Sequence, residues 1–206
     1  MIGMAKKFVV LSFLLLIFLL PARDAAGKAS IPKIGPVNLN PHPSGLAGRT
    51  VLLRWNGKMN GDKYLEYLSD LLKNRYKGIK IIKLWEKYPE TAIISKKTAI
   101  SDQIAGKIAA MKPDIVIAAQ ADWGVCTAWL VVDQLKLEKK GIPTVTIVTS
   151  VFADLMKSLI LEQEAGDLIW VIEEHPIAGH NLKGIQKKVE ASFPKILHAA
   201  TWQPAK

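Results

Sequence analysis

From Arg49 onward, continuous apolar runs alternate with stretches whose apolar residues recur every three or four positions. The runs at 50–55, 79–85, 115–119, 144–148 and 168–172 read as strands buried on both faces. Between them, Tyr64, Leu65, Leu68, Leu71 and Leu72 mark one helical face, which Gly78 ends. A second helix, about 101–111, presents Ile104, Ile108 and Met111 and breaks at Lys112-Pro113. A third begins near Thr127, uses Ala128, Val131, Val132 and Leu135, and stops at Lys139-Lys140-Gly141. Phe152, Leu155, Met156, Leu159 and Ile160 mark a fourth, and 184–191 a shorter fifth. Strands that alternate with helices predict a three-layer α/β domain, Rossmann-like, with a mostly parallel sheet of about five strands.

Polar clusters follow four of these strands: Asn56 to Asn60, Asp122 to Thr127, Thr149-Ser150, and Glu173 to Pro176. In an open parallel sheet the loops after the strands converge at the carboxyl edge, where ligands bind. One rim is therefore expected to carry all four clusters.

The N-terminus departs from this pattern. Lys6-Lys7, the apolar run 8–20, Pro21 and Ala25-Ala26-Gly27 read as a secretory signal peptide over 1–27, cleaved near Gly27. The run is short for a membrane span, which needs about 20 residues, so export leads and an uncleaved membrane anchor is the alternative. Residues 28–48 hold Pro32, Pro36, Pro41 and Pro43 with little periodicity, and form either a tether or an irregular wrap. The single folded domain is then 49–206.

The formal charge of +10 suits a small anionic partner, an anionic lipid or a polyanion. The lysines are scattered as pairs without aromatic interleaving, however, and no nucleic-acid motif is present. A small anionic molecule is the expected partner; membrane contact is expected only through an uncleaved leader, and no cofactor is implied. Cys126 is the only cysteine, so no disulfide can form within the chain. At a strand-to-helix turn, unpaired N–H groups and the helix dipole favour a reactive thiolate. The competing reading is a small buried hydrophobe.

Around Cys126, His175 in a Pro/Gly loop is a candidate acid–base partner, and Asp122 a candidate proton-handling group or a bond to its own turn. Lys58, between Asn56 and Asn60, can meet a carboxylate over the rim. Asn60 is equally an N-cap, Gly57 and Gly61 are turn formers, and Ser150 is a cap. A metal site drawn from Glu173, Glu174, His175 and His180 fits no zinc spacing, so none is expected. Trp55, Trp85 and Trp123 either floor an apolar pocket or fill space.

The segments Leu53 to Asn60, Asp122 to Thr127, Gly141 to Thr149 and His175-Pro176 resemble, in that order, motifs of the UGSC family. That family is named for a Sec/Cys-Gly-Ser-Cys sequence, and its first-strand signature usually reads Leu-Asp-Asn-x-Lys-x-Asn. The resemblance implies thiol- or selenol-based chemistry with Asn56, Lys58, Asn60, Asp122, Cys126, Thr127 and His175 at matching positions. Two departures stand out. Trp123 replaces the first Sec/Cys, which rules out a dithiol cycle within the motif, and Trp55 replaces the usual acid of the first strand.

Two functions follow as expectations. One is an exported enzyme in which Cys126, His175 and Asp122 do chemistry while Asn56, Lys58, Asn60, Thr127 and Thr149 hold a small anion. The other is a noncatalytic anion-binding module that has lost the redox residues. Racemase-like proton transfer is a weaker third, because such two-base enzymes generally use two cysteines.

Overall fold

β-branched and apolar residues dominate five segments, of which the three central ones are almost fully buried and the two edge ones only partly. They are β1 (Thr50–Trp55), β2 (Lys80–Lys83), β3 (Ile115–Ala121), β4 (Thr144–Thr149) and β5 (Trp170–Glu173). In the computed structural model, which describes residues 31–166 and 168–203, they form one all-parallel sheet in the order β2-β1-β3-β4-β5. The leader at 1–27 and its cleavage site lie outside the described residues. Among the described residues, no helix is long and apolar enough to cross a membrane.

Among the described residues six helices cover the sheet: α1 (Gly61–Arg75), α2 (Leu84–Lys87), α3 (Thr98–Ala110), α4 (Gly124–Glu138), α5 (Ala153–Glu162) and α6 (Leu182–Ala200). Alternate strand residues decide which helices lie where. Val51, Leu53, Ile117 and Ile147 meet Leu65 and Leu68 of α1 and Val189 and Ile196 of α6. Their neighbours Leu52 and Val116 meet α3, while Ala118 and Val148 meet α4 and α5. The result is the expected three-layer α/β arrangement.

Three elements differ from the sequence pattern. The second strand was expected over 79–85 but stops at Lys83, and Trp85 lies on α2; β2 is an edge strand whose residues are only partly buried. The last helix, expected over 184–191, continues through Pro194 to Ala200. Its second half stays helical because Ile196, Ala199 and Ala200 pack into the core, which offsets the backbone bond the proline cannot make. From Ile31, the proline-rich segment is a wrap rather than a free tether. Ile31, Ile34, Val37 and Leu39 lie against the α4–α5 layer, and Leu46 is fully buried in the α1–α6 layer. Asn40 bonds the Glu138 carbonyl at 2.7 Å and His42 Nδ1 the Ala199 carbonyl at 2.7 Å. Both partners end helices, so the wrap crosses the end of the sheet opposite the carboxyl edge.

One polar network is built around a buried ion pair. Arg54 on β1 donates to Asp133 of α4 at 3.1 Å and to the Thr91 and Ile93 carbonyls at 3.1 and 3.0 Å. Ser95 and Ser101 donate to the same carboxylate at 2.7 and 2.6 Å. Burial pulls the Arg54 pKa down, and the charge and hydrogen bond of Asp133 oppose that pull. The network pins the 89–101 connection to the sheet.

Candidate functional site

Because all five strands run parallel, Trp55, Ala121, Thr149 and Glu173 end at one edge, and the loops after them form a common rim. β1 and β3 are neighbours with β2 outside β1, so the strand order reverses between them, and crevices at such reversals receive ligands. Gly57, in the first of these loops, has φ +77° and a Cβ there would lie 2.2 Å from the Ala92 carbonyl oxygen. Only glycine fits that close approach.

Asp122 follows β3 and is buried. Its Oδ1 accepts from the Ile177 N–H at 3.3 Å and its Oδ2 from the Ala178 N–H at 3.0 Å, which ties the loop after β5 to the end of β3. His175, in that loop, places Nδ1 3.0 Å from Asp122 Oδ1 and 2.9 Å from Thr149 Oγ1. The Thr149 hydroxyl can direct its proton to the Ala121 carbonyl at 3.3 Å and accept at its lone pair. Two acceptors at Nδ1 select the Nδ1–H tautomer and leave Nε2 with a free lone pair. The ring is 27 % exposed, with Phe152 edge-on at 5.8 Å. The backbone N–H of His175 donates to Ser150 Oγ at 3.3 Å. Sequence reasoning had nominated Asp122, Thr149 and His175 separately; the structure brings them into one cluster.

Lys58 is half-buried, with Nζ 3.8 Å from the centre of the Trp123 ring. Trp123 is 50 % exposed, so the pair presents a cation and an apolar plate at the rim. Trp55, at the position of the family's usual acid, donates from Nε1 to the Lys58 carbonyl at 2.7 Å and meets Trp85 edge-on. Trp55 therefore supports the Lys58 loop.

Cys126 reverses the expectation of a reactive thiolate. It is fully buried at the third position of α4, accepts from the Trp123 N–H at 3.1 Å and donates to the Trp123 carbonyl at 2.9 Å. Burial pushes its pKa up, against backbone hydrogen bonds and the Lys58 charge, which act in the opposite direction. Desolvation wins over the helix terminus, so the thiol closes a turn as a capping side chain does. No hydrogen bond joins Cys126 to His175 among the described residues.

The other nominated ligand contacts are also used internally. Asn56 bonds both backbone groups of Gln120, at 2.9 and 3.1 Å, and locks β1 to β3. Asn60 occupies the N-cap position of α1 with φ 70°, but its side chain donates to the Ile177 and His180 carbonyls instead of capping. Thr127 donates to the Trp123 carbonyl at 2.8 Å. Glu173 turns inward and accepts from Tyr64 at 2.8 Å, away from the rim. No group of three metal-binding side chains gathers among the described residues.

Sequence reasoning missed Gln120. Its Nε2 donates to the Met59 carbonyl at 3.1 Å and to Asp122 Oδ2 at 3.3 Å, coupling the Lys58 loop to the Asp122 cluster. A polar residue closing an otherwise apolar strand was the available signal. Its Oε1 and the Trp55 ring lie so near Gly61 that a Cβ there would sit 2.8 and 2.7 Å from them.

No match was found among curated proteins or among solved structures. The model of the UGSC family matches residues 19–202, nearly the whole chain and every element of the rim, and the chain belongs to that family.

Proposed function

We propose that this UGSC-family protein is an enzyme for a small anionic molecule in which His175, rather than Cys126, does the proton chemistry. In this reading Nε2 takes a proton from the substrate or from a water. Asp122 and Thr149 hold the ring, and the Asp122 carboxylate stabilises the imidazolium that forms. Lys58 holds the anionic group beside Trp123, while Cys126, Asn56, Asn60 and Thr127 keep the rim in shape. The observation that carries the reading is the 3.0 Å contact between buried Asp122 and a partly exposed histidine at the carboxyl edge. Export through the 1–27 leader belongs to the same proposal, and mass spectrometry of the mature N-terminus checks it.

The second reading is a noncatalytic anion-binding module. It is favoured by the buried thiol and by tryptophans at both positions where the family usually has its selenocysteine or cysteine and its acid. A screen of small carboxylates and phosphate esters, following turnover by mass spectrometry and binding by calorimetry, separates the two. Turnover by the wild type is expected, with a loss of about 10²–10⁴-fold in His175→Gln and binding retained. Binding without turnover would establish the module and end the enzyme reading. An undiminished rate in His175→Gln would remove the histidine from the chemistry.

A further inference from the structure

A wide opening runs along the outer edge of β5. It is a groove of about 1060 Å³ between α5 and α6, with Leu161, Trp170, Ile172, Lys195 and Trp202 in its walls. A smaller cavity of about 230 Å³ shares Ile172 and Lys195 with it and adds Lys187, which extends the groove along the strand. Leu161 is 80 % and Ile172 43 % exposed, so large apolar side chains face water there.

The backbone beside this groove is also unpartnered. β5 ends the sheet order and pairs only with β4. The Ile169 carbonyl accepts from Thr146 of β4, so by the two-residue alternation of a ladder Val171 and Glu173 face inward. Trp170 and Ile172 therefore turn their N–H and C=O groups outward. No other hydrogen bond to these groups is found among the described residues. Natural edges are usually blunted by charge, proline or a covering element. Here a short strand with outward bonding groups borders an apolar trough.

The charges favour one kind of occupant. On the α6 wall Lys187 and Lys195 are exposed and have no acidic partner among the described residues, whereas the acids that line the groove and its extension already have partners: Glu164 with Lys33, Glu174 with Lys188 at 3.5 Å, and Glu173 with the Tyr64 hydroxyl. A second copy of a chain carrying +10 would bring these lysines together across a two-fold axis. An acidic strand would neutralise them.

We propose that the outer edge of β5 and its groove form a docking site for an extended peptide segment of alternating apolar and acidic residues, bound as a sixth strand. The outward groups of Trp170 and Ile172 supply ladder bonds. The α5 wall receives the apolar side chains, and Lys187 and Lys195 meet the acidic ones. The larger groove contains no residue of the Asp122–His175 cluster, and its smaller extension ends at Glu173 and Glu174, beside the rim.

The test uses a ten-residue, end-blocked peptide of alternating valine and glutamate. Its binding is followed by the fluorescence of the groove tryptophans in the wild type, Ile172→Pro and Lys187→Glu/Lys195→Glu. Proline removes an N–H that points away from the sheet, so the fold is expected to stay intact by circular dichroism while the edge is blocked. Saturable, salt-sensitive binding is expected, weakened at least tenfold in each variant and abolished when the peptide backbone is N-methylated. The double charge variant keeps the test decisive if Ile172→Pro fails to fold. Three results would overturn the proposal: no binding at millimolar peptide, undiminished binding to the charge variant, or equal binding of the N-methylated peptide. A concentration-dependent dimer in ultracentrifugation that Ile172→Pro or the charge variant dissolves would assign the edge to a second copy. Displacement of bound peptide by monomeric oleate at equal or lower concentration would assign the groove to lipid.

Discussion

Asp133 and Asp122 are both buried aspartates near α4, and both accept hydrogen bonds from several partners, yet their networks end differently. The side chains that meet Asp133, those of Arg54, Ser95 and Ser101, are all buried. The network around Asp122 runs to His175, whose side chain is partly exposed. A polar cluster that closes on itself fixes conformation, while one that leaves an unused valence at the surface is prepared to exchange a proton. Both clusters contain an acid and a base, and burial alone does not distinguish them.

The largest expected effect tests the closed cluster. Asp133→Ala leaves the Arg54 guanidinium buried without its counter-charge and is expected to cost about 3–5 kcal/mol in urea denaturation. Asp122→Asn is expected to cost less, about 1–3 kcal/mol, because it keeps the shape and loses charge-assisted bonds. The same variant is expected to turn the His175 tautomer towards Nε2–H, visible in the ¹⁵N shifts of the ring, since an amide group can donate to Nδ1. Equal costs for the two substitutions would erase the distinction.

Cys126 sharpens the comparison at intermediate size. Its thiol is expected to resist iodoacetamide in the native protein and to react after denaturation; native labelling at the unfolded rate would return it to the chemistry. The folded pKa is raised, so the unfolded chain loses its proton first. Relative to Cys126→Ala, wild-type stability is therefore fully present below the unfolded value of about 8.5 and falls as pH rises above it. Denaturation curves between neutral pH and pH 10 check the sign.

The smallest effect concerns the open side. In a double-mutant cycle with Lys58→Met and Trp123→Ala, the coupling energy for unfolding is expected to be about 0.5–1 kcal/mol, as for other partly exposed cation–π pairs. A coupling near zero would detach Lys58 from Trp123.

The strands β1, β3 and β4 were legible because continuous apolar runs have no other stable place than between two layers of helices. α6 extends beyond the expected 184–191 because Ile196 and Ala200 pack into the core and override the stop signal of Pro194. The rim was legible from strand-end polar clusters, but the Asp122–His175 contact joins two separate loops and depends on how β3 and β5 are placed. For Cys126 the helix terminus was visible in the sequence and the burial was not, and burial set the direction of the pKa. Gln120 showed no motif at all; its role comes from the loop that folds over it.

The wrap that begins at Ile31 also bears on the order of folding. Ile34 is bonded to Gln163, and His42 both to Ala199 and, through its carbonyl, to Gln203. These contacts span most of the chain, so closing them carries a loop entropy that local pairing in α1 or β1 does not. During synthesis from the N-terminus, the partners of residues 31–42 are made late. An early-made segment must therefore wait for the final helix before it has a place to settle, and the domain completes its surface only when its two ends meet.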